Sequence, residues 1–163
     1  MAPRTIQLVL HYDGAGFAGW QRQPGERTVQ GVIEDALFRL CEEHIAVLGA
    51  GRTDAGVHAL GQAAGVHVPE KWTTDSLRRA LNAVLPDDVW VLRAHEMIPS
   101  FHARYGATSR TYVYRVATGD DAESPFRRRW ALPWNRPLDE SALVASGEAI
   151  RGDHCFRAFA VKG

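Results

Sequence analysis

Residues 51–59 read Gly-Arg-Thr-Asp-Ala-Gly-Val-His-Ala and follow directly on the apolar run Ile45, Ala46, Val47, Leu48, so an acid stands between two glycines at the end of a buried segment. Glycine admits backbone angles that other residues resist, which lets a tight loop aim Asp54, with Arg52 two residues before it and His58 four after. No second carboxylate, serine, cysteine or metal-ligating cluster accompanies Asp54, which argues against paired-acid hydrolysis and two-metal catalysis. A single carboxylate suits a covalent or general-base role, in which it attacks an electrophile or takes a proton itself. Arg52 would favour its ionised form, and Tyr112 offers a ring on which a planar base could stack. The same Gly-x-x-Asp-x-Gly pattern also serves as a plain polar turn between two strands. The rest of the chain has to decide between the two.

The elements that would position these side chains can be followed by their periodicity. Residues 5–12 place Ile6, Leu8 and Leu10 on one parity, a strand buried on at least one face, and end in the turn signal Asp13-Gly14-Ala15-Gly16. Residues 17–23 form a loop rich in aromatics and amides, where Trp20 is either a core lid or part of a functional surface. From Thr28, a plausible N-cap, the spacing of Val29, Val32, Ile33, Ala36, Leu37 and Leu40 predicts an amphipathic helix to about Glu43. Residues 45–48 read as a second strand, and residues 62–68, with Ala64, Val66 and Val68 alternating, as a third that Pro69 closes. Thr74 is expected to cap a second helix carrying Leu77, Ala80, Leu81, Val84 and Leu85, ended by Pro86. Residues 89–94 make a fourth strand.

This order, β-α-β-β-α-β, predicts an α+β fold of ferredoxin-like type: an antiparallel sheet with both helices on one face, the Asp54 loop joining its second and third strands. Such a sheet leaves one face free, a common place to bind RNA. Beyond it, residues 107–116 alternate as a strand with Arg110, Tyr112, Tyr114 and Val116 on one side, residues 119–125 are turn-rich, and Asp139 caps a third helix through Ala142, Leu143, Ala149 and Ile150. The expected organisation is a ferredoxin-like domain over residues 1–98 and the first, incomplete part of a second similar α/β domain over residues 99–163. A strand, a loop and one helix cannot close a core of their own.

Composition narrows the class. The 163 residues carry 19 basic and 19 acidic side chains, so net charge says nothing about a nucleic-acid partner. Distribution says more: residues 100–136 hold seven arginines, no lysine and three acids, a local excess of +4. Arginine without lysine suits forked recognition of phosphate, and equally a solvated face. Cys41 and Cys155 stand apart with no partner motif, which predicts a reduced, cytoplasmic protein. No stretch has the length of a signal peptide or a membrane span, and the seven histidines form no metal-ligand pair, so neither membrane nor metal is expected.

The motif of residues 51–59 resembles the catalytic motif of the tRNA pseudouridine synthase A family. The likeness extends over Tyr12-Asp13-Gly14, Gly19-Trp20-Gln21-Arg22-Gln23, Phe101-His102-Ala103-Arg104 and residues 107–114, Ala-Thr-Ser-Arg-Thr-Tyr-Val-Tyr. It implies isomerisation of uridine to pseudouridine at positions 38 to 40 of the anticodon stem-loop of tRNA, without a cofactor, by a homodimer whose two subunits are both crossed by the tRNA. In those terms Asp54 matches the invariant aspartate, acting at C1′ or on the C2′ proton. Tyr112 matches the tyrosine that stacks on the target uracil, and Arg52 an arginine that holds the flipped-out nucleotide. Arg104, Arg110, Arg127, Arg128 and Arg129 read as phosphate contacts. Arg22, with Trp20 and Gln21, either faces RNA or braces the active loop. For His58 and His102 the choice between a structural hydrogen bond and a catalytic role stays open. Members of the family continue into a second half, with a basic residue that pairs with the aspartate and an apolar residue that floors the pocket. Neither is found here, so the alternative expectation is a catalytically incomplete RNA-binding module.

Overall fold

A computed structural model describes residues 3–159, so the ends of both expected domains, residues 1–2 and 160–163, lie outside the described residues. It forms two compact units, one running to Thr111 and the other from Tyr112 onward.

The first unit is built on four strands and two helices in the order β1 (Arg4–Tyr12), α1 (Val29–Cys41), β2 (Leu48–Gly49), β3 (Ala59–Val68), α2 (Thr74–Val84) and β4 (Val89–Met97). The strands lie in the sheet order β2-β3-β1-β4 and every neighbouring pair is antiparallel. Alternation decides the faces. Ile6, Leu8 and Leu10 of β1 pair with Val66, Ala64 and Gln62 of β3, and Leu10 faces Val91 of β4, so one apolar stripe crosses the three long strands. Both helices cover that stripe. Val29, Ile33 and Leu37 recur every four residues on α1, Leu77 and Leu81 do so on α2, and all are buried with the strand residues in one cluster.

Some local predictions differ from the structure for a backbone reason. Residues 45–47 are not strand, because Val47 finds its partners on α1: its N–H donates to Glu34 Oε1 at 3.2 Å and its C=O accepts from Gln30 Nε2 at 3.1 Å. Pairing with β3 begins only at Leu48. Thr73, and not Thr74, is the N-cap of α2, because Ser76 completes a capping box with it. The helix α1 stops at Cys41 where Glu42 turns left-handed, with φ of 61°.

The first unit continues to Thr111 because residues after β4 return to the sheet. The ring of Phe101 and the methyl of Ala103 lie over Gly65 of β3, and the Arg110 guanidinium bonds the Ala50 carbonyl. The second unit holds a two-residue parallel pair, β5 (Val116–Ala117) with β6 (Leu132–Pro133), and α3 (Glu140–Ala149), capped by Asp139 as expected. The strand predicted over residues 107–116 forms only at its last residue. A strand exists only through a hydrogen-bonded neighbour, and among the described residues none pairs with residues 107–114; the Arg115 carbonyl accepts from Leu132 N–H at 2.8 Å, beside the Val116–Leu132 pair. α3 buries no residue, and Ala117 and Ala122 are the buried hydrophobics of this unit among the described residues.

Candidate active site

The loop carrying Asp54 runs from the end of β2 to the start of β3, and its backbone is fastened at nearly every step. Ala50 N–H reaches Ala63 O at 2.7 Å, extending the β2–β3 pairing. Arg110 closes on Ala50 O with Nη2 at 2.6 Å and Nε at 3.2 Å, and Gln62 Nε2 donates to Gly51 O at 2.5 Å. Thr53 is held twice, its carbonyl by Trp20 N–H at 2.9 Å and its hydroxyl by Tyr12 OH at 2.9 Å. Past Asp54 the chain turns through Gly56, with φ of 79°, where Val57 N–H returns to Asp54 O at 3.2 Å and Gly56 N–H donates to Phe17 O at 3.3 Å. The left-handed angle at Gly56 is one that glycine adopts without strain.

The far end of the loop is tied by His58. Its Nδ1 lies 3.1 Å from Gly14 N and 3.0 Å from Asp13 Oδ1. The first contact uses Nδ1 as an acceptor and the second uses it as a donor, so the position of the ring proton selects between them. Of the two roles left open for His58, the geometry provides the structural one. The same holds for His102, whose Nδ1 accepts from Arg104 N–H at 3.2 Å.

Against this fastened backbone the Asp54 side chain is exposed, and no hydrogen bond or ion pair engages its carboxylate among the described residues. A carboxylate so presented keeps both oxygens available for attack or proton transfer. Arg52 is exposed on the same loop and forms no ion pair with Asp54. Trp20 is buried, its ring packed so tightly on Gly49 that a Cβ there would lie 2.6 Å from the indole, and its backbone holds Thr53. It braces the loop.

The arginines separate into two sets. Arg22 is engaged by Glu34 at 3.1 Å and Asp35 at 3.2 Å, Arg110 by Ala50, and Arg127 by Asp121. Arg129 stacks over Trp130 at 5.6 Å. The guanidinium groups of Arg52, Arg104 and Arg128 carry no hydrogen bond or ion pair among the described residues. Tyr112 belongs to the second unit, where the residue is 75% exposed.

Several residues that shape this site were not singled out by composition or periodicity. Tyr12 reads in sequence only as the end of the strand over residues 5–12, yet its hydroxyl reaches Thr53. Burial pushes the Tyr12 phenol pKa up, and the Thr53 hydrogen bond offsets part of that rise. Arg27 forms a bidentate pair with Asp88 at 2.8 and 2.9 Å and lies 4.0 Å over the Phe17 ring, so it anchors the loop whose carbonyl holds Gly56. A signal was present in the motif Tyr12-Asp13-Gly14, but it named the residues and not their partners.

Comparison with known proteins agrees with the resemblance. Residues 8–106, which include all of the Asp54 loop, match the model of a family described as tRNA pseudouridine synthase. Three proteins named tRNA pseudouridine synthase A are similar along nearly the whole chain. That of Frankia casuarinae is 46% identical over 94% of this chain and 57% of its own length. That of Limosilactobacillus fermentum is 42% identical over 96% and 62%, and that of Thermotoga neapolitana 41% identical over 96% and 64%. The chain therefore spans about three fifths of the length of the curated relatives it matches.

Proposed function

Since the chain belongs to the tRNA pseudouridine synthase family, we propose that it isomerises uridine to pseudouridine in tRNA, with Asp54 as the group that acts on the target nucleotide. The observation that carries this reading is the loop itself. Its backbone is hydrogen-bonded on both sides of Asp54 while the carboxylate is exposed and unengaged among the described residues. That is pre-organisation for a reaction in which the carboxylate is the reagent.

In the reaction the N1–C1′ bond of uridine breaks, the uracil turns, and a C5–C1′ bond forms as the C5 proton leaves to solvent and N1 takes up a proton in exchange. Atoms and electrons balance within the nucleotide, so no redox cofactor is required. Two routes use the same group: Asp54 attacks C1′, or it removes the C2′ proton. Either requires the base to leave the stack, because the glycosidic carbon is shielded inside it. Arg52, exposed beside Asp54, holds the extruded nucleotide, and the resemblance gives Tyr112 the role of stacking on its uracil. Arg104 and Arg128, free of protein partners among the described residues, are the readiest phosphate contacts. Arg22, Arg110 and Arg127 would have to give up acids or a carbonyl to serve as such. Arg129 would have to leave its stacking over Trp130.

The finer reading places the target at positions 38 to 40 of the anticodon stem-loop and the enzyme in the cytoplasm as a homodimer. It takes residues 1–98 as a ferredoxin-like domain, supported by the antiparallel order β2-β3-β1-β4 under two helices, and residues 99–163 as the opening of a second α/β domain.

Tritium release from tRNA labelled at uridine C5 tests the proposal. The wild-type chain is expected to release tritium, and Asp54→Asn to lower the rate by at least about 10³-fold, within the range that nucleophile or base removal costs, while tRNA affinity stays unchanged. Undiminished release by Asp54→Asn would remove Asp54 from the chemistry. Binding of tRNA without release by the wild-type chain would leave the RNA-binding module as the function.

A further inference from the structure

We infer that Gly14 and Gly19 are positioning residues for Asp54: the loop that follows β1 is a bed on which the Asp54 loop lies backbone to backbone, and only glycine at these two places admits that approach. A Cβ added at Gly14 would stand 2.0 Å from Val57 O and 2.4 Å from Val57 C. Gly14 does not have a left-handed φ, so its requirement is space alone. At Gly19 a Cβ would stand 2.8 Å from Thr53 O and 3.3 Å from Asp54 C, and there φ is also +105°. Both obstacles are backbone atoms of the Asp54 loop, which cannot rotate aside as a side chain can.

The two glycines meet the Asp54 loop at two points along its backbone. Gly14 lies under Val57, just after the turn, and Gly19 lies under Thr53 and Asp54. Hydrogen bonds close the same seam, Trp20 N–H to Thr53 O at one end, Gly56 N–H to Phe17 O in the middle and Gly14 N–H to His58 Nδ1 at the other. A methyl group at either glycine must therefore lift the loop or part the seam. The displacement needed to restore an ordinary contact distance is on the order of 1 Å, a misplacement that costs a reacting group about 10²-fold in rate.

The catalytic half of this inference rests on the reading of Asp54 given above, and the conformational half does not. The test uses the full chain and the variants Gly14→Ala, Gly19→Ala and Gly61→Ala. Gly61 meets nothing within 4 Å and has no positive φ, so its variant controls for the added methyl itself. Amide hydrogen exchange at Gly56 and Val57 reads the seam, and steady-state tritium release reads the chemistry. Gly19→Ala is expected to keep a cooperative melt and its KM for tRNA, to exchange these amides at least about tenfold faster than Gly61→Ala, and to lower kcat by about 10²-fold. Gly14→Ala is expected to go further in the same direction, and where it fails to fold, Gly19→Ala decides. Exchange rates and kcat equal to those of Gly61→Ala would overturn the inference. A change in KM with kcat unaltered would also overturn it, since that would place the glycines in tRNA binding. Should the wild-type chain release no tritium, the proposed function fails and exchange alone decides: unchanged protection at Gly56 and Val57 in Gly19→Ala overturns the bed, and its loss sustains it.

Discussion

Tyr12 shows how one residue serves core and site at once. Its ring lies in the cluster beneath the helices, 6.2 Å from the Trp20 ring, and its hydroxyl is the partner of Thr53 Oγ1. Burial raises its pKa above the ordinary tyrosine value, so the folded chain prefers the neutral phenol more strongly than the unfolded chain does. As pH climbs past about 10, the tyrosine of the unfolded chain ionises first. The stability that neutral Tyr12 contributes is thus complete below that value and is lost as pH rises through the higher folded pKa. Tyr12→Phe removes this component and the hydrogen bond together. At neutral pH it is expected to cost about 0.5–1.5 kcal/mol in urea unfolding. The gap between wild type and variant should narrow over the range from about pH 10 upward. A gap that stays constant across that range would show that the Tyr12 phenol does not titrate differently in the two states.

At the scale of elements, α1 does more than cover the sheet. Its side chains Gln30 and Glu34 take the backbone of Val47, and Glu34 also holds Arg22, so the helix fastens both approaches to the Asp54 loop. The start of that helix is set by Thr28, a buried residue whose Oγ1 accepts from Gly31 N–H at 3.2 Å. Thr28→Ala leaves that N–H without its cap and is expected to destabilise the chain by about 1 kcal/mol, while Thr28→Ser restores most of the loss. Thermal unfolding monitored by circular dichroism measures both. Equal melting temperatures for Thr28→Ala and wild type would mean that packing of Val29, Ile33 and Leu37 alone fixes the helix start. β4 is held in a similar way, by Asn82 of α2, whose amide donates to Val91 O at 2.9 Å and accepts from Val91 N at 2.8 Å. An amide pairing in this fashion occupies strand groups that would otherwise stand open to another chain.

Across the whole molecule the two units differ in what holds them. The first buries three strands and two helices in one apolar cluster, while the second leaves Tyr112, Val113, Tyr114, Phe126 and Val144 largely exposed. Ordering backbone costs about 1–2 kcal/mol per residue, and burial of apolar surface is the main term that offsets it. The second unit has little of that term. Brief trypsin digestion of the native chain is therefore expected to cut first within Arg127, Arg128 and Arg129, while Arg93 on β4 and the arginines of α1 and α2 resist until global unfolding. Mass spectrometry of the early fragments reads the order, and simultaneous cleavage in both units would contradict it.

Local chemistry made much of this protein legible from sequence. The alternation of Ile6, Leu8 and Leu10 marked β1, the spacing of Val29, Ile33 and Leu37 marked α1, Asp139 marked the start of α3, and two glycines around an acid marked the loop that carries Asp54. Each of these is settled by neighbours within a few residues, which is the range over which periodicity and capping act. The tertiary structure decided which distant backbone groups found each other. Val47 bonds to α1 and not to β3, residues 107–114 find no strand to pair with among the described residues, and Gly14 accepts the carbonyl of Val57 where a side chain would stand. Hydrogen-bond partners and close approaches tens of residues apart depend on how whole elements are stacked, and no local pattern encodes that. The type and place of the carboxylate were therefore readable in the sequence, whereas the bed that holds it became visible only when the loop after β1 and the loop before β3 were brought together.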